Sequence, residues 1–258
     1  MSLKKLMDLS DRVAIVTGGS RGLGLQIAEA LGEMGAAVAI TARKAAELEE
    51  ARAHLAGLGI EVLTIASDLG KPETPAAIVA AVMARHGKID ILVNNAGATW
   101  GANAEDHPLD AWMKLVNLNL TGNFLLCQQV ARASMIARKH GRIINIASVA
   151  GLGGNPLQME GTIAYNTTKG GLVNFTRALA AEWGKHNITV NAICPGFFPS
   201  KMTRATLETH AQYFIDNTPL QKLGGDEDLK GAAVLFASDA GGHITGQCLV
   251  IDGGAIVV

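Results

Sequence analysis

Short β-branched runs alternate along the chain with longer segments of helical composition. Val13–Val16, Ala37–Thr41, Val62–Ile65, Ile89–Val93, Arg142–Ile146, Thr189–Ile193 and Cys248–Ile251 are apolar without the polar alternation of a one-sided sheet, so they predict strands buried on both faces. Between them, Leu23–Met34, Lys44–Ala56, Ala76–Arg85, Leu109–Lys139, Ala164–Trp183 and Asp226–Ser238 predict helices, several of them ended by a glycine, at Gly35, Gly57 and Gly87. Repeated β-α-β units give an α/β fold. They predict a doubly wound parallel sheet of about seven strands with helices on both faces, a three-layer Rossmann-type architecture.

No linker, charge block or repeat divides the 258 residues, and they are expected to form one domain. The alternation breaks at about 195–225, after the sixth predicted strand, where Phe197, Phe198, Pro199 and Pro219 accompany a short helical pattern. A stretch of that length suits a substrate lid, or else a plain surface excursion.

Composition narrows the function. With 22 basic and 23 acidic residues the formal net charge is −1, which offers no footprint for nucleic acid or anionic lipid. The longest apolar stretch, Ala76–Ala84, is about half of what a bilayer crossing needs. Cys127, Cys194 and Cys248 form no CxxC pair and read as reduced, buried thiols; together with the lack of a secretory pattern in Met1–Leu9 they place the chain in the cytoplasm. The seven histidines have no local ligand spacing, so no metal is expected.

Two local patterns carry chemistry. The first strand runs into Thr17-Gly18-Gly19-Ser20-Arg21-Gly22-Leu23-Gly24 and then a helix, the setting in which glycines let a pyrophosphate reach backbone amides at a helix N-terminus. Glycines serve other strand-to-helix turns as well, and Gly18-x-Ser20-x-Gly22 also spells the nucleophile elbow of α/β hydrolases, with Asp216 and His243 as the acid and base it would need. Farther along, Tyr165 and Lys169 stand four residues apart on one helix face. A phenol titrates near ~10, and a neighbouring ammonium would lower that value and make a usable acid-base group. A surface pair would show the same spacing.

Taken in order, Thr17–Gly24, Asn94-Asn95-Ala96-Gly97, Asn119, Ser148 with Tyr165 and Lys169, and Pro195-Gly196 resemble the short-chain dehydrogenase/reductase family over nearly the whole chain. The resemblance implies that Ser148 bonds the substrate oxygen, Tyr165 transfers the proton, Lys169 holds the nicotinamide ribose and tunes the tyrosine, and Asn119 anchors a relay water. Gly18, Ser20, Arg21, Gly22, Leu23 and Gly24 would cradle a dinucleotide. Asn95, Ala96 and Gly97 would lie beside the adenosine, Asp68 and Leu69 at the adenine, and Pro195, Gly196 and Ser200 near the carboxamide. The family also implies a homotetramer paired through the two longest helices and the last strand.

Cofactor choice has its own physical argument. An NAD site places an acid about twenty residues beyond the glycines to accept from the ribose 2′-hydroxyl. Here no acid stands between Glu33 and Glu47, while Arg21, Arg43 and Lys44 supply cations for a 2′-phosphate. NADP(H) is therefore expected, with NAD(H) possible if those cations are merely solvated. Ser148 and Tyr165 are seventeen positions apart, wider than the common family spacing, and the excess falls in Gly153–Gly161, a loop expected to border the substrate. Pro199-Ser200 stands where many relatives have a threonine, and Trp100-Gly101 and 197–204 are closest to 3-oxoacyl-thioester reductases and gluconate-type dehydrogenases. Lys201 and Arg204 offer charge for an anionic substrate, or a solvated lid face. The implied reaction is hydride transfer between NADP(H) and a small-molecule carbonyl or secondary alcohol; a non-catalytic dinucleotide-binding redox sensor is the alternative of another class.

Overall fold

The computed structural model describes residues 1–157 and 159–258; Gln158, in the loop expected to border the substrate, lies outside the described residues. Seven strands form one sheet: β1 (Val13–Thr17), β2 (Ala37–Ala42), β3 (Val62–Ala66), β4 (Ile91–Asn94), β5 (Gly141–Ile146), β6 (Ile188–Pro195) and β7 (Cys248–Ile251). All neighbours pair in parallel in the order β3-β2-β1-β4-β5-β6-β7. The order reverses direction between β1 and β4, and such a switch point opens a crevice at the carboxyl ends of the strands.

Burial on both faces holds for the five inner strands, whose residues are all buried or, at the ends of β2, nearly so. The two outer strands depart from it. β3 and β7 are only half-buried because each has a neighbour on one edge alone. One apolar layer packs Ile27, Leu31, Leu48, Leu55 and Phe236 against one sheet face. The other packs Ile78, Val82, Leu126, Val130 and Leu179 against the opposite face.

Helices fall close to their expected places, with three informative differences. Gly35 and Gly87 do adopt positive φ at helix ends, but after helix Ala45–Gly57 it is Gly59, with φ 76°, that turns the chain, and Gly57 ends as an ordinary helical residue. The last helix starts at Lys230 rather than Asp226, because the Asp228 carboxylate accepts from Gly225 N at 2.8 Å and fixes a turn first. The long helical run 109–138 contains two π-turns, Asn117–Thr121 and Ala131–Met135. π-turns widen a helix and free local backbone groups.

Candidate active site

At the end of β1 the chain turns through Gly18 and Gly22, with φ of 64° and 52°, values that disfavour any side chain. Thr17 is the hub of this turn. Its hydroxyl accepts from Asn95 N and Ala96 N, both at 3.0 Å, and donates to Val93 O at 3.3 Å, so it staples the end of β1 to the end of β4. Asn95 completes the link by donating from Nδ2 to Thr17 O at 2.8 Å and Gly18 O at 3.2 Å. A Cβ on Gly24 would stand 2.3 Å from Gly18 O, so the helix Gly22–Glu33 can meet the turn this closely only with glycine there.

The first turn of that helix has no side-chain cap, and a Cβ on Gly22 would meet only Ser200 Cβ at 3.9 Å. Uncapped amides facing open space at a helix N-terminus suit a pyrophosphate, and the glycine cradle therefore fits a dinucleotide. Ser200 lies over this turn and bonds within its own loop, its N donating to Thr203 Oγ1 at 3.0 Å. Ser20 is buried, and among the described residues it has no histidine partner, which removes the hydrolase arrangement.

Arg21, Arg43 and Lys44 cluster beside the turn as exposed side chains. Arg21 is held by Glu47 at 2.6 Å, and Lys44 approaches the same carboxylate at 3.4 Å. Asp68 accepts from Gly70 N at 3.1 Å, as a turn cap does, while Leu69 is a core side chain whose carbonyl would collide with any Cβ on Gly122.

The second half of the site forms around β5 and the helix Ile163–Trp183. Ser148 is buried just beyond β5, and its Oγ accepts from Ala150 N at 3.1 Å. Gly151 lets this turn lie directly on the helix, since a Cβ there would stand 2.6 Å from the Lys169 carbonyl carbon. Lys169 is buried and donates from Nζ to Ile146 O at 2.6 Å, with Nζ 5.6 Å from the centre of the Tyr165 ring. Burial lowers the Lys169 pKa to about 8. The two groups thus converge, but the expected acidified phenol is not what this geometry gives. Burial raises the Tyr165 pKa, the Ser148 hydroxyl opposes that rise, and Lys169 donates to the Ile146 carbonyl rather than to the phenol.

Asn119 sits inside the first π-turn and is fully buried. Its side chain brackets Ala98, donating to Ala98 O and accepting from Ala98 N, both at 3.0 Å, and donates to Thr168 Oγ1 at 3.0 Å. Those bonds tie the turn after β4 to the helix of Tyr165 and Lys169. Asn117, two positions earlier, begins the same π-turn. Gly97 fits beneath: a Cβ there would lie 3.3 Å from Asn119 Oδ1 and 3.6 Å from Lys169 Nζ. Gly196, just beyond Pro195, donates its N–H to Ile251 O at 2.9 Å and presses on Asp252, closing the far wall.

Ser148 and Tyr165 open into a cavity of about 1010 Å³. Gly153–Pro156, Met159 and Glu160 line one side of it, as the wide Ser148–Tyr165 spacing predicts; Phe197, Met202, Tyr213 and Phe214 line the other. Lys201 and Arg204 are exposed and do not line it. Sequence reasoning misses Thr17 as a hub, Glu47 as a partner of Arg21, and Thr168 as the partner of Asn119. Thr17 could have been found from the rule that a buried hydroxyl at a strand end needs partners; the other two depend on contacts between distant segments.

The model of the short chain dehydrogenase family matches residues 12–211. A gluconate 5-dehydrogenase of Gluconobacter oxydans is 36% identical over 100% of this chain and 99% of its own length. A 3-oxoacyl-(acyl-carrier-protein) reductase of Pseudomonas aeruginosa is 39% identical over 96% of this chain and 98% of its own. Among solved structures, a gluconate 5-dehydrogenase from Burkholderia cenocepacia in complex with NADP and tartrate superposes with a TM-score of 0.92 at 34% identity, covering 100% of both chains. With its glycine turn, its buried lysine and its serine and tyrosine opening on one cavity, the chain belongs to the short-chain dehydrogenase/reductase family of oxidoreductases.

Proposed function

We propose that Tyr165 is the proton-transferring acid-base, Ser148 the stabiliser of the substrate oxygen, Lys169 the cation at the cofactor ribose and Asn119 the positioning residue that keeps their helix in register. A nicotinamide dinucleotide, NADP(H) in preference to NAD(H), supplies the hydride when bound. Gly18, Gly22, Leu23 and Gly24 would receive its pyrophosphate, Arg21, Arg43 and Lys44 its 2′-phosphate, and Asp68, Asn95 and Gly97 its adenosine side. Ser148 donates to the oxygen that gains charge, and Tyr165 delivers its proton to that same oxygen. The phenol is protonated at neutral pH, as a donor in the reducing direction must be, and its raised pKa makes it a weaker acid that Ser148 and Lys169 must assist. The observation that carries this reading is that Ser148 and Tyr165 open on one cavity while the buried Lys169 places its Nζ 5.6 Å from the centre of the Tyr165 ring.

The substrate we infer is a 3-oxoacyl thioester or related ketone. Leu152, Pro156, Met159, Met202, Phe197 and Phe214 give the cavity an apolar lining suited to an acyl chain. The gluconate-type alternative rests on Thr206, Thr209, His210 and Asn217, which face the same space and could bond hydroxyls. Residues 195–225 serve as the lid over this cavity, within a single catalytic domain.

No helix among the described residues is long and apolar enough to cross a membrane. We propose a cytoplasmic homotetramer. Exposed Leu109, Met113 and Phe124 on the long helical run and Leu249 on β7 support that assembly, which light scattering tests. For activity, NADPH consumption with acetoacetyl thioesters and with 5-ketogluconate separates the two substrate readings. Cofactor binding without turnover across a broad carbonyl panel would replace both with the redox-sensor reading.

A further inference from the structure

The cations assigned to the 2′-phosphate are not idle. Arg21 Nη1 lies 2.6 Å from Glu47 Oε1, and Lys44 Nζ reaches the same oxygen at 3.4 Å. Glu47 belongs to the first turn of the helix Ala45–Gly57, and its side chain is 23% exposed, so it is oriented by the cluster yet free to release into water. Arg43 is exposed and, among the described residues, has no carboxylate at ion-pair distance. One carboxylate thus occupies two of the three cations that a phosphate dianion would need.

Building on the 2′-phosphate reading above, we propose that Glu47 is a specificity-setting residue: its carboxylate competes with the 2′-phosphate for Arg21 and Lys44 and restrains the preference for NADP(H) over NAD(H). A phosphate must displace or share Glu47, and it meets a cluster of net charge two rather than three. A ribose 2′-hydroxyl carries no charge and meets no such competition. The hold of Arg21 and Lys44 on Glu47 also keeps its carboxyl pKa below the ordinary value, so the competitor stays ionised near neutrality.

Calorimetric titration of the full chain with adenosine 2′,5′-bisphosphate and with 5′-AMP tests this without any turnover. In Glu47→Gln the bisphosphate should bind roughly two- to five-fold more tightly at low ionic strength, the range expected for removing an exposed ion-pair competitor. The 5′-AMP affinity should stay unchanged, and the gain should shrink as salt is added. An unmoved ratio between the two probes, or an equal shift in both, overturns the role of Glu47. A wild-type protein that binds both probes equally overturns the 2′-phosphate reading itself, and the proposal with it; Arg21→Ala, expected to erase the bisphosphate preference, identifies which cation is contested.

Discussion

A buried cation stands at each end of strand β5, Arg142 on the strand itself and Lys169 reaching in from the helix Ile163–Trp183, and the two are treated in opposite ways. At the amino end Arg142, 4% exposed, bonds Asp239 Oδ1 at 3.0 Å and also donates to the carbonyls of Ser238 and Gly141. Close by, the fully buried Asp90 accepts from Arg138 at 2.5 Å and from Val13 N at 2.9 Å, with Lys88 at 3.8 Å and Arg12 at 4.0 Å. At the carboxyl end Lys169, 5% exposed, has only the carbonyl of Ile146 and, among the described residues, no carboxylate partner. The amino edge gives each of its buried charges, Asp90 and Arg142, a partner of opposite sign and holds the fold. The carboxyl edge leaves one charge uncompensated beside the phenol, at a cost in stability that a purely structural site would have no reason to carry.

The largest effect should come from the carboxyl edge and leave stability alone. Tyr165→Phe removes one hydroxyl, and turnover should fall roughly 10³-fold, within the range for a lost general acid. Thermal melting and NADPH affinity should match wild type. A variant retaining a tenth of the activity would take the proton-transfer role away from Tyr165.

At the amino edge the signs reverse. Asp90→Asn removes the charge that Arg138 faces and should cost about 3–5 kcal/mol in chemical denaturation, the range for breaking a buried pair. Specific activity per folded molecule should be kept. A loss of activity without a loss of stability would show that the two edges are coupled rather than separate.

Lys169 sharpens the contrast through pH. Its pKa is about 8 in the folded chain against 10.5 when unperturbed, so the unfolded chain binds more protons between those values, and stability should rise as pH increases from about 8 to 10.5. Below that window the buried ammonium costs roughly 3 kcal/mol. Lys169→Met should therefore lose turnover while melting higher at pH 7, and its stability should no longer climb across the window. A variant that melts lower at pH 7 would mean that the hydrogen bond to Ile146 outweighs desolvation.

The same division explains what the sequence made legible. The inner strands are read correctly because each is a short β-branched run whose neighbours on both sides bury it, so local composition and tertiary environment agree. β3 and β7 have the same composition, and nothing local reports that they lie at the edges. The glycine turn and the Tyr165–Lys169 pair are legible because their chemistry is confined to a few consecutive residues. The direction of the Tyr165 shift is not, since spacing shows that a cation is near but not that it is buried and bonds Ile146 rather than the phenol. Asn155, Thr162 and Asn166 were missed altogether, because a polar ring between a loop and a helix has no periodic signature.

That ring supplies the smallest effect and the test closest to substrate choice. Asn155 Nδ2 donates to Thr162 Oγ1 at 2.8 Å, Thr162 Oγ1 donates to Asn166 Oδ1 at 2.7 Å, and Asn166 Nδ2 returns to Asn155 Oδ1 at 3.0 Å. It fastens the loop at 153–161, one wall of the cavity, to the turn that starts the Tyr165 helix. All three groups are neutral, so removing one loses hydrogen bonds worth about 0.5–1.5 kcal/mol each and leaves no buried charge behind. Asn155→Ala keeps the Thr162–Asn166 bond on the helix side and loosens the loop without detaching it, since Asn166 Nδ2 still donates to Gly153 O at 3.2 Å. The loop orders the substrate wall but touches no transferred proton, so KM for the ketone should rise roughly three- to ten-fold with kcat and NADPH affinity unchanged. A fall in kcat at constant KM would instead place the ring in the alignment of Tyr165, and the wall would then belong to the catalytic half of the comparison.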